Sequence, residues 1–298
     1  MGLGGNTPMR RVIVTRPVDE DADSSLRVNA AQAMPSWLEA LRAHGFDAQA
    51  LPLLHIAALS GSAALADLAR AREQVAAYRA VMFVSPAAVR HFFSPKTAFF
   101  ESNWPIAKVN TAGNAINLEV WATGPGTVQA LCCAGVPATQ IRSPAPDAAQ
   151  FDSASLWQQV AAAVQPGQRF LIVRGAGATA AAGEAGAAVG NDWLAQQVLA
   201  AGAQVDEVAA YQRGAPQWDA AQAALARQAA VDGSVWLLSS SEATGHLANL
   251  LPGQDWRQAR AVATHSRIAE AARQLGFGVV RESRPVLAAL VASIESFA

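Results

Sequence analysis

The chain has few cysteines, which argues against a fold held together by disulfide bonds or by zinc ions. Among its 298 residues there are two cysteines, the adjacent Cys132 and Cys133, and no spaced set of cysteines and histidines. Neighbouring residues of a helix point in different directions, so these two thiols are not expected to bridge. Neither a disulfide framework nor a zinc site is predicted. Cys132 is expected to be a small buried residue.

Charge of either sign is also scarce. Charged residues make up 15% of the chain, and the formal net charge is −1. Lys96 and Lys108 are its two lysines, so arginine carries nearly all of the positive charge. Binding to nucleic acids or to membrane surfaces would need a basic field, and we therefore expect neither. Arginine is, however, the better partner for carboxylates, because its planar group binds them in a fork.

Long apolar segments are missing as well. No apolar stretch reaches about 18 residues without a charge or a turn, so no transmembrane helix is predicted. The glycine-rich start, Met1–Arg10, has no apolar region like that of a secretory signal, and we expect it to be disordered. These two absences predict a cytoplasmic protein.

The chain does contain a repeated pattern of strands and helices. Hydrophobic residues make up 52% of it, enough for substantial cores. A short apolar strand followed by a hydroxyl residue and a helix occurs at Val81–Ser85 and again at Trp236–Ser240, and the stretch Ala122–Gly135 is echoed by Ala263–Gly276. Regular alternation predicts parallel sheets with helices on both faces. The expected fold class is α/β, with two similar three-layer domains.

Two extended segments do not fit this alternation and predict how the domains are joined. Leu51–Ile56 and Val205–Tyr211 each follow a tryptophan-containing helix that ends at a glycine. We interpret them as paired linker strands, a two-stranded β-ladder that acts as a hinge. The predicted boundaries are 1–51 with 214–298 for a discontinuous first domain, 57–204 for the second, and 52–56 with 205–213 for the linkers. Helix N-termini facing one cleft would suit an anionic ligand.

Two arginines follow predicted strands. Arg16 comes directly after Val12–Thr15, and Arg174 comes directly after Gln168–Val173. In open α/β sheets, ligands bind beyond the carboxyl ends of the strands. Each arginine is therefore interpreted either as a ligand for a substrate carboxylate or as part of a salt bridge between domains.

Four hydroxyl residues lie at predicted helix starts: Ser85, Thr127, Ser240 and Ser266. N-capping is the ordinary role of such side chains, while the neighbouring backbone N–H groups could bind anions. His265 also lies at a predicted helix start. It is interpreted either as a donor in the cleft or as a structural residue.

Two different functions each fit part of the sequence pattern. Gly175–Ala180 reads G-x-G-x-x-A after a strand, which is typical of a Rossmann-like nicotinamide-dependent oxidoreductase. The residues beyond Ala180 lack a helical apolar period, and no clear strand ending in an acidic residue follows about 20 residues on, as that fingerprint requires. The other function is that of a non-catalytic two-domain protein that binds anions.

Segments spread over nearly the whole chain resemble uroporphyrinogen-III synthase, an enzyme family of tetrapyrrole synthesis. Their order and spacing carry the resemblance more than any one of them. They are Val14-Thr15-Arg16-Pro17, Phe83-Val84-Ser85-Pro86, Thr123-Gly124-Pro125-Gly126-Thr127, Phe151-Asp152-Ser153, Leu171-Ile172-Val173-Arg174-Gly175, Val208-Ala209-Ala210-Tyr211-Gln212-Arg213, Leu238-Ser239-Ser240-Ser241 and His265-Ser266-Arg267-Ile268-Ala269.

The resemblance implies an activity and a catalytic residue. The family closes hydroxymethylbilane, a linear tetrapyrrole, to uroporphyrinogen III in the cleft between two similar domains, without a cofactor. Tyr211 matches the tyrosine most often implicated in the family's chemistry; its alternative role is to anchor the hinge strand. Thr127 matches a family threonine, whereas Ile268 occupies the place of that threonine's counterpart.

The resemblance and the strand-end positions together predict a substrate-binding set. It comprises Arg16, Ser85, Thr127, Arg174, Gly175, Ser239, Ser240, His265 and Ser266. We expect a monomer with a small-molecule tetrapyrrole substrate, no metal and no cofactor. The tract Gly177–Gly190 resembles an insertion, and Asn191-Asp192 stand where the family has an arginine.

Overall fold

The computed structural model describes residues 10–17, 36–94, 118–177 and 192–297, and these confirm the α/β class with parallel sheets. Their strands are β1 (Arg11–Val14), β2 (Asp47–Ala50), β3 (His55–Ala58), β4 (Ala80–Phe83), β5 (Glu119–Ala122), β6 (Ile141–Arg142), β7 (Arg169–Gly177), β8 (Gln204–Gly214), β9 (Val235–Leu238), β10 (Arg260–Ala263) and β11 (Val279–Glu282).

Ten α-helices are formed by the described residues, and none of them has the length and hydropathy needed to span a membrane. They are α1 (Trp37–Ala43), α2 (Ser62–Glu73), α3 (Pro86–Phe92), α4 (Pro125–Cys133), α5 (Ser153–Val160), α6 (Asp192–Ala200), α7 (Ala220–Ala229), α8 (Ser241–Leu250), α9 (Ser266–Leu275) and α10 (Leu287–Glu295). Short 3₁₀ helices occur at Val75–Ala77, Ala138–Gln140 and Ala161–Ala163.

The described chain divides into two compact units. Unit 1 contains residues 10–17, 36–55 and 215–297, and unit 2 contains residues 56–94, 118–177 and 192–214. Three predicted features lie outside the described residues. They are the start of the chain up to residue 9, the insertion tract from residue 178 onward, and Asn191.

Unit 1 is built on a five-stranded sheet in the order β11-β10-β9-β1-β2. All four neighbouring pairs are parallel. The strands of the middle of this sheet are short and apolar, and their residues are almost all buried, as expected of parallel strands covered on both faces.

The two faces of the unit 1 sheet bury alternate residues of the same strands. Trp236 of β9 is fully buried on one face, where its ring contacts those of Trp256 and Phe277. The other face packs against α1 and α10 and comprises Val12, Val14, Val235, Leu237 and Val262 with Leu41, Leu290 and Ile294. Successive residues of a pleated strand point to opposite faces of the sheet, so every second residue is buried on the same face.

Unit 2 is built on a six-stranded sheet in the order β3-β8-β7-β4-β5-β6. The pairs β8–β7, β7–β4, β4–β5 and β5–β6 are parallel. The predicted linker 205–213 lies within β8, whereas the predicted linker 52–56 overlaps β3 at His55 and Ile56 alone; β3 and β8 are neighbours in the sheet. They are not a separate ladder, however, because β8 pairs with β7 from residue 204 to residue 213 and so belongs to the sheet of unit 2.

Both faces of the unit 2 sheet bury aromatic side chains. Phe83 of β4 lies against Phe92 of α3 at 5.3 Å between ring centroids and against Phe93 at 5.6 Å. The opposite face packs against α5 and α6 and includes Met82, Trp121, Phe170 and Ile172 with Leu156, Val160, Leu194 and Val198. These contacts fix the strand ends from which the candidate site is built.

The structure corrects three local predictions. Strand β7 does not end at Val173 but continues to Gly177, so Arg174 and Gly175 lie inside it. The stretch from Pro137 to Gln150 has two further prolines and no clear period, which predict a loop, but it contains a 3₁₀ turn and β6. Cys132 is exposed rather than buried, and both cysteines are free.

Gly278, just before β11, allows a close backbone approach that an alanine would prevent. A Cβ there would lie 2.8 Å from the carbonyl carbon of Arg257 and closer still to its oxygen. Backbone atoms cannot move aside as a flexible side chain can. We therefore expect Gly278→Ala to lower the free energy of unfolding by about 1–3 kcal/mol, as overpacking does. A lowered midpoint of thermal unfolding would confirm this.

Gly245→Ala is the matched control in the same unit. Gly245 lies in the interior of α8 and is exposed, and no atom of the described residues is within 4 Å of its Cβ position. Alanine is a better helix former than glycine, by about 1 kcal/mol. This variant should therefore unfold at a higher temperature. Equal effects of the two substitutions would contradict the steric explanation.

Candidate functional site

Three predicted site residues meet at the carboxyl ends of neighbouring strands in unit 2. Ser85 follows β4, Gly175 lies in the last part of β7, and Tyr211 lies in β8. Strands β4, β7 and β8 are adjacent and parallel, so their carboxyl ends share one edge of the sheet. The structure thus brings together residues that are up to 126 positions apart in sequence.

Ser85 is held by its role at the start of α3. Its Oγ accepts a hydrogen bond from the N–H of Ala88 at 3.1 Å, which confirms the predicted N-cap. Pro86 occupies the first helical turn, where its lack of an N–H costs nothing. The cap fixes the position of the serine oxygen relative to β4.

Tyr211 occupies the centre of the cluster. It is 3% exposed, and its hydroxyl lies 3.1 Å from the Oγ of Ser85. The ring stacks against the imidazole of His91 in α3, with 5.6 Å between centroids and an interplanar angle of 28°. The ring also lies against Gly175, where a Cβ would be 2.5 Å from Cε2 and from Cζ.

The hydrogen bond between Ser85 and Tyr211 permits either hydroxyl to donate. When the Ser85 O–H donates to the phenol oxygen, the phenol proton points elsewhere and can be given to another acceptor. In that arrangement Ser85 also stabilises negative charge on the phenol oxygen. The Tyr211 hydroxyl group, with Ser85 beside it, can therefore act as a hydrogen-bond donor or a general acid.

His91 is not among the predicted site residues, although the repeat contains a signal for it. It follows the capping serine of its helix by six residues, and His246 follows Ser240 by the same interval in the other copy. His246 has its own packing role: its Nδ1 donates to the carbonyl of Leu53 at 2.8 Å. The equal spacing would have singled out both histidines.

The second tyrosine of the chain, Tyr78, has a different environment. Its hydroxyl donates to Asp206 at 2.9 Å, and the guanidinium of Arg169 lies over its ring. Burial and the hydrogen bond to Asp206 raise the pKa of Tyr78 to about 12. Tyr78 precedes β4, so it lies towards the amino end of the strand that Ser85 follows.

Arg174 has a carboxylate partner within its own unit. Its guanidinium forms an ion pair with Glu207 of β8 at 2.9 Å, and its side chain is 7% exposed. Of its two predicted roles, the structure therefore shows a salt bridge, but one inside unit 2 rather than between domains. Because the Arg174 side chain is buried, leaving its charge without Glu207 would be costly.

Thr127 is buried in α4 and does not cap it. The N-cap is Gly124, and Thr127 is the third helical residue, 4% exposed. The predicted capping role of Thr127 is therefore wrong. Its backbone N–H donates to the carbonyl of Gly124 at 3.1 Å, and Pro125 has no N–H. Fewer free backbone N–H groups are therefore present at the start of α4 to bind an anion than the sequence indicates.

Five predicted binding residues belong to unit 1: Arg16, Ser239, Ser240, His265 and Ser266. Ser240 caps α8 by accepting from the N–H of Ala243, as predicted. Ser239 is half-buried between β9 and this cap. Arg16 lies with its guanidinium 4.1 Å from the centroid of the Trp37 ring, a cation–π contact.

The cap of α9 is His265, not Ser266. The Nδ1 atom of His265 accepts from the N–H of Arg267 at 3.1 Å, which confirms the structural interpretation of this histidine. Accepting this bond requires Nδ1 to be unprotonated, so the proton of the neutral ring is on Nε2. Ser266 is the first helical residue, and its predicted capping role is wrong by one position.

The described part of the chain does not support a nicotinamide site or a metal site. Gly175 and Gly177, the first two glycines of the Rossmann-like pattern, lie inside β7 instead of in a turn after a strand, and Ala178–Ala180 are outside the described residues. No group of three or more His, Cys, Asp or Glu side chains within the described ranges is placed to hold a metal ion.

Two solved structures resemble this chain in fold. The fold is similar to the crystal structure of uroporphyrinogen-III synthetase from Helicobacter pylori (TM-score 0.53, 10% identity, covering 97% of this chain and 100% of that one). It is also similar to a mutant uroporphyrinogen III synthase from the extremely thermophilic bacterium Thermus thermophilus (TM-score 0.50, 16% identity, covering 97% and 98%). At these identities the likeness shows the fold alone.

Sequence comparison identifies the family directly. No curated protein sequence matches this chain. The family model described as "Uroporphyrinogen-III synthase HemD" matches residues 36–292, most of the chain. The chain therefore belongs to the uroporphyrinogen-III synthase family.

Proposed function

We propose that this protein converts hydroxymethylbilane into uroporphyrinogen III, with inversion of ring D and loss of water. The observation that carries the proposal is the family match over residues 36–292. The contact between Tyr211 and Ser85 at the carboxyl ends of the strands supports the proposal, because Tyr211 supplies a hydroxyl group suited to proton donation. The proposed reaction needs no cofactor and no metal.

The first step is loss of the terminal hydroxyl group. The C–O bond breaks while the nitrogen of the same pyrrole ring supplies electron density to the carbon. The departing oxygen takes a proton from the phenol of Tyr211 and leaves as water. The product is an electron-poor azafulvenium cation, and the phenol oxygen is left with a negative charge that the Ser85 hydroxyl stabilises.

The second step joins the two ends of the chain. Ring D, at the far end of the tetrapyrrole, attacks the azafulvenium carbon through its substituted α-carbon and forms a spiro intermediate. The bond from that α-carbon to the carbon bridge towards the neighbouring ring then breaks. The bridge carbon rejoins ring D at its other α-carbon, which leaves the ring inverted. A proton lost as the pyrroles regain aromaticity restores the phenol. The protein's main contribution is to hold the flexible substrate so that its ends meet in this orientation.

Tyr211 contributes to this scheme through its hydroxyl group. The ring is buried, and its packing against Gly175 and His91 fixes where the oxygen lies. The alternative role, an anchor for strand β8, depends on the ring and not on the hydroxyl group. The two roles therefore separate in a variant that keeps the ring.

Purified protein supplied with hydroxymethylbilane should release the type III isomer. Spontaneous closure of the same substrate gives type I, so a parallel incubation without protein is the control. The measurement is separation of the two isomers by chromatography after oxidation to the porphyrins. Exclusive formation of type I would refute the proposed reaction, and tight binding without turnover would favour the non-catalytic anion-binding protein.

Tyr211→Phe should slow type III formation by about 100-fold, the scale expected of a lost general acid. We expect kcat to fall and KM to change little, because the hydroxyl group acts on the departing oxygen. The thermal midpoint should stay close to that of the unchanged protein, since the ring keeps its contacts. Steady-state kinetics and thermal unfolding measure the two effects.

Tyr78→Phe is the matched control in the same unit. It makes the same chemical change but removes the hydrogen bond to Asp206. A lost hydrogen bond to a charged partner costs about 1.5–3 kcal/mol, so this variant should lose stability and keep its kcat. Unchanged kinetics in Tyr211→Phe would remove its hydroxyl group from the mechanism and leave Tyr211 as an anchor.

A further inference from the structure

Gly175 leaves a space that the phenol ring of Tyr211 fills. A Cβ on Gly175 would lie 2.5 Å from Cε2, 2.5 Å from Cζ and 2.9 Å from Oη of Tyr211. Cβ atoms in real structures essentially never come within 3.0 Å of such atoms. Any side chain at this position would therefore displace the end of the ring that carries the hydroxyl group.

An irregular strand pairing places Tyr211 beside this glycine. Arg174 pairs with Ala209, but the next residue, Gly175, pairs with Tyr211, so the register shifts and Ala210 is the extra residue. Such a bulge bends the strand locally and redirects side chains. In unbroken register Gly175 would be opposite Ala210, and the phenol would not be its direct partner.

The ring has little freedom to move away from a new side chain. His91 stacks on it, Ser85 lies within hydrogen-bond distance of its oxygen, and the residue is buried. A displacement would therefore break the contact with Ser85 or the stacking with His91. Either change would move the phenol oxygen away from its position beside Ser85.

We propose that Gly175 is a positioning residue for the reaction proposed above: its missing side chain sets where the Tyr211 hydroxyl group lies. The inference rests on the proposed function and adds a residue that acts through another. A purely structural explanation also exists, because an aromatic ring over a cross-strand glycine stabilises a sheet. That explanation concerns the ring, whereas the proposal concerns the hydroxyl group.

The first experiment compares Gly175→Ala with Gly177→Ala. Both glycines lie in β7, but among the described residues no atom is within 4 Å of a Cβ on Gly177. Misplacing a catalytic group by about 1 Å costs about 100-fold in rate. We expect Gly175→Ala to lower kcat for type III formation to this extent with KM little changed, and Gly177→Ala to keep the unchanged protein's kcat.

The second experiment repeats Gly175→Ala in a Tyr211→Phe background. The methyl group meets Cε2 and Cζ, which phenylalanine also has, so the loss of thermal stability should be the same in both backgrounds. The loss of kcat should appear in the tyrosine background alone, because the hydroxyl group is already missing in the other. Equal losses of kcat in both backgrounds would overturn the positioning role.

A third readout does not depend on activity. The chain has two tyrosines, so labelling tyrosine Cζ with ¹³C gives two NMR signals, which Tyr78→Phe assigns. Gly175→Ala should shift the Tyr211 signal, and Gly177→Ala should not. If the Tyr211 signal does not move, the inference about Gly175 fails. It also fails if Gly175→Ala keeps full kcat. In both cases the proposed function stands as long as the unchanged protein makes the type III isomer. Failure of the unchanged protein to make type III defeats the proposed function and, with it, this role of Gly175.

Discussion

The parallel pairing of β4, β7 and β8 is the constraint on which the candidate site depends. Strands β4 and β7 are built mainly from buried apolar residues, whereas the buried residues of β8 lie in its second half, around Tyr211. Since the strands run in the same direction, their ends share one edge of the sheet. The contact of Ser85 with Tyr211 is a product of this arrangement and not of local sequence.

Much of the fold can be predicted from the sequence because its signals are local. Short apolar runs predict the strands, and a serine directly after such a run predicts the caps at Ser85 and Ser240, which the structure confirms. The error at Thr127 has a local cause too: Gly124 and Pro125 begin the helix earlier, and the threonine falls inside it. At α9 two adjacent residues can both cap, and His265 takes the role that Ser266 was expected to have.

What could not be predicted depends on pairing between distant residues. The length of β7 beyond Val173 is set by its partner β8, which pairs with it as far as Arg213. The bulge that places Tyr211 beside Gly175 has no signature in either strand alone. His91 could have been found from the equal Ser–His spacing in the two copies, but its stacking on Tyr211 depends on how α3 packs on the sheet.

The contacts of the two predicted arginines bear unequally on how a polyanionic substrate would bind. Arg174 already has a carboxylate partner in Glu207, and because the Arg174 guanidinium is buried, a substrate carboxylate there would have to share or displace that partner. Arg16 contacts Trp37, with its guanidinium over the indole ring. A cation–π contact also orders the side chain, which lowers the entropy lost on binding. A substrate carboxylate would therefore compete with Glu207 at Arg174, whereas at Arg16 it would meet a guanidinium that already contacts Trp37.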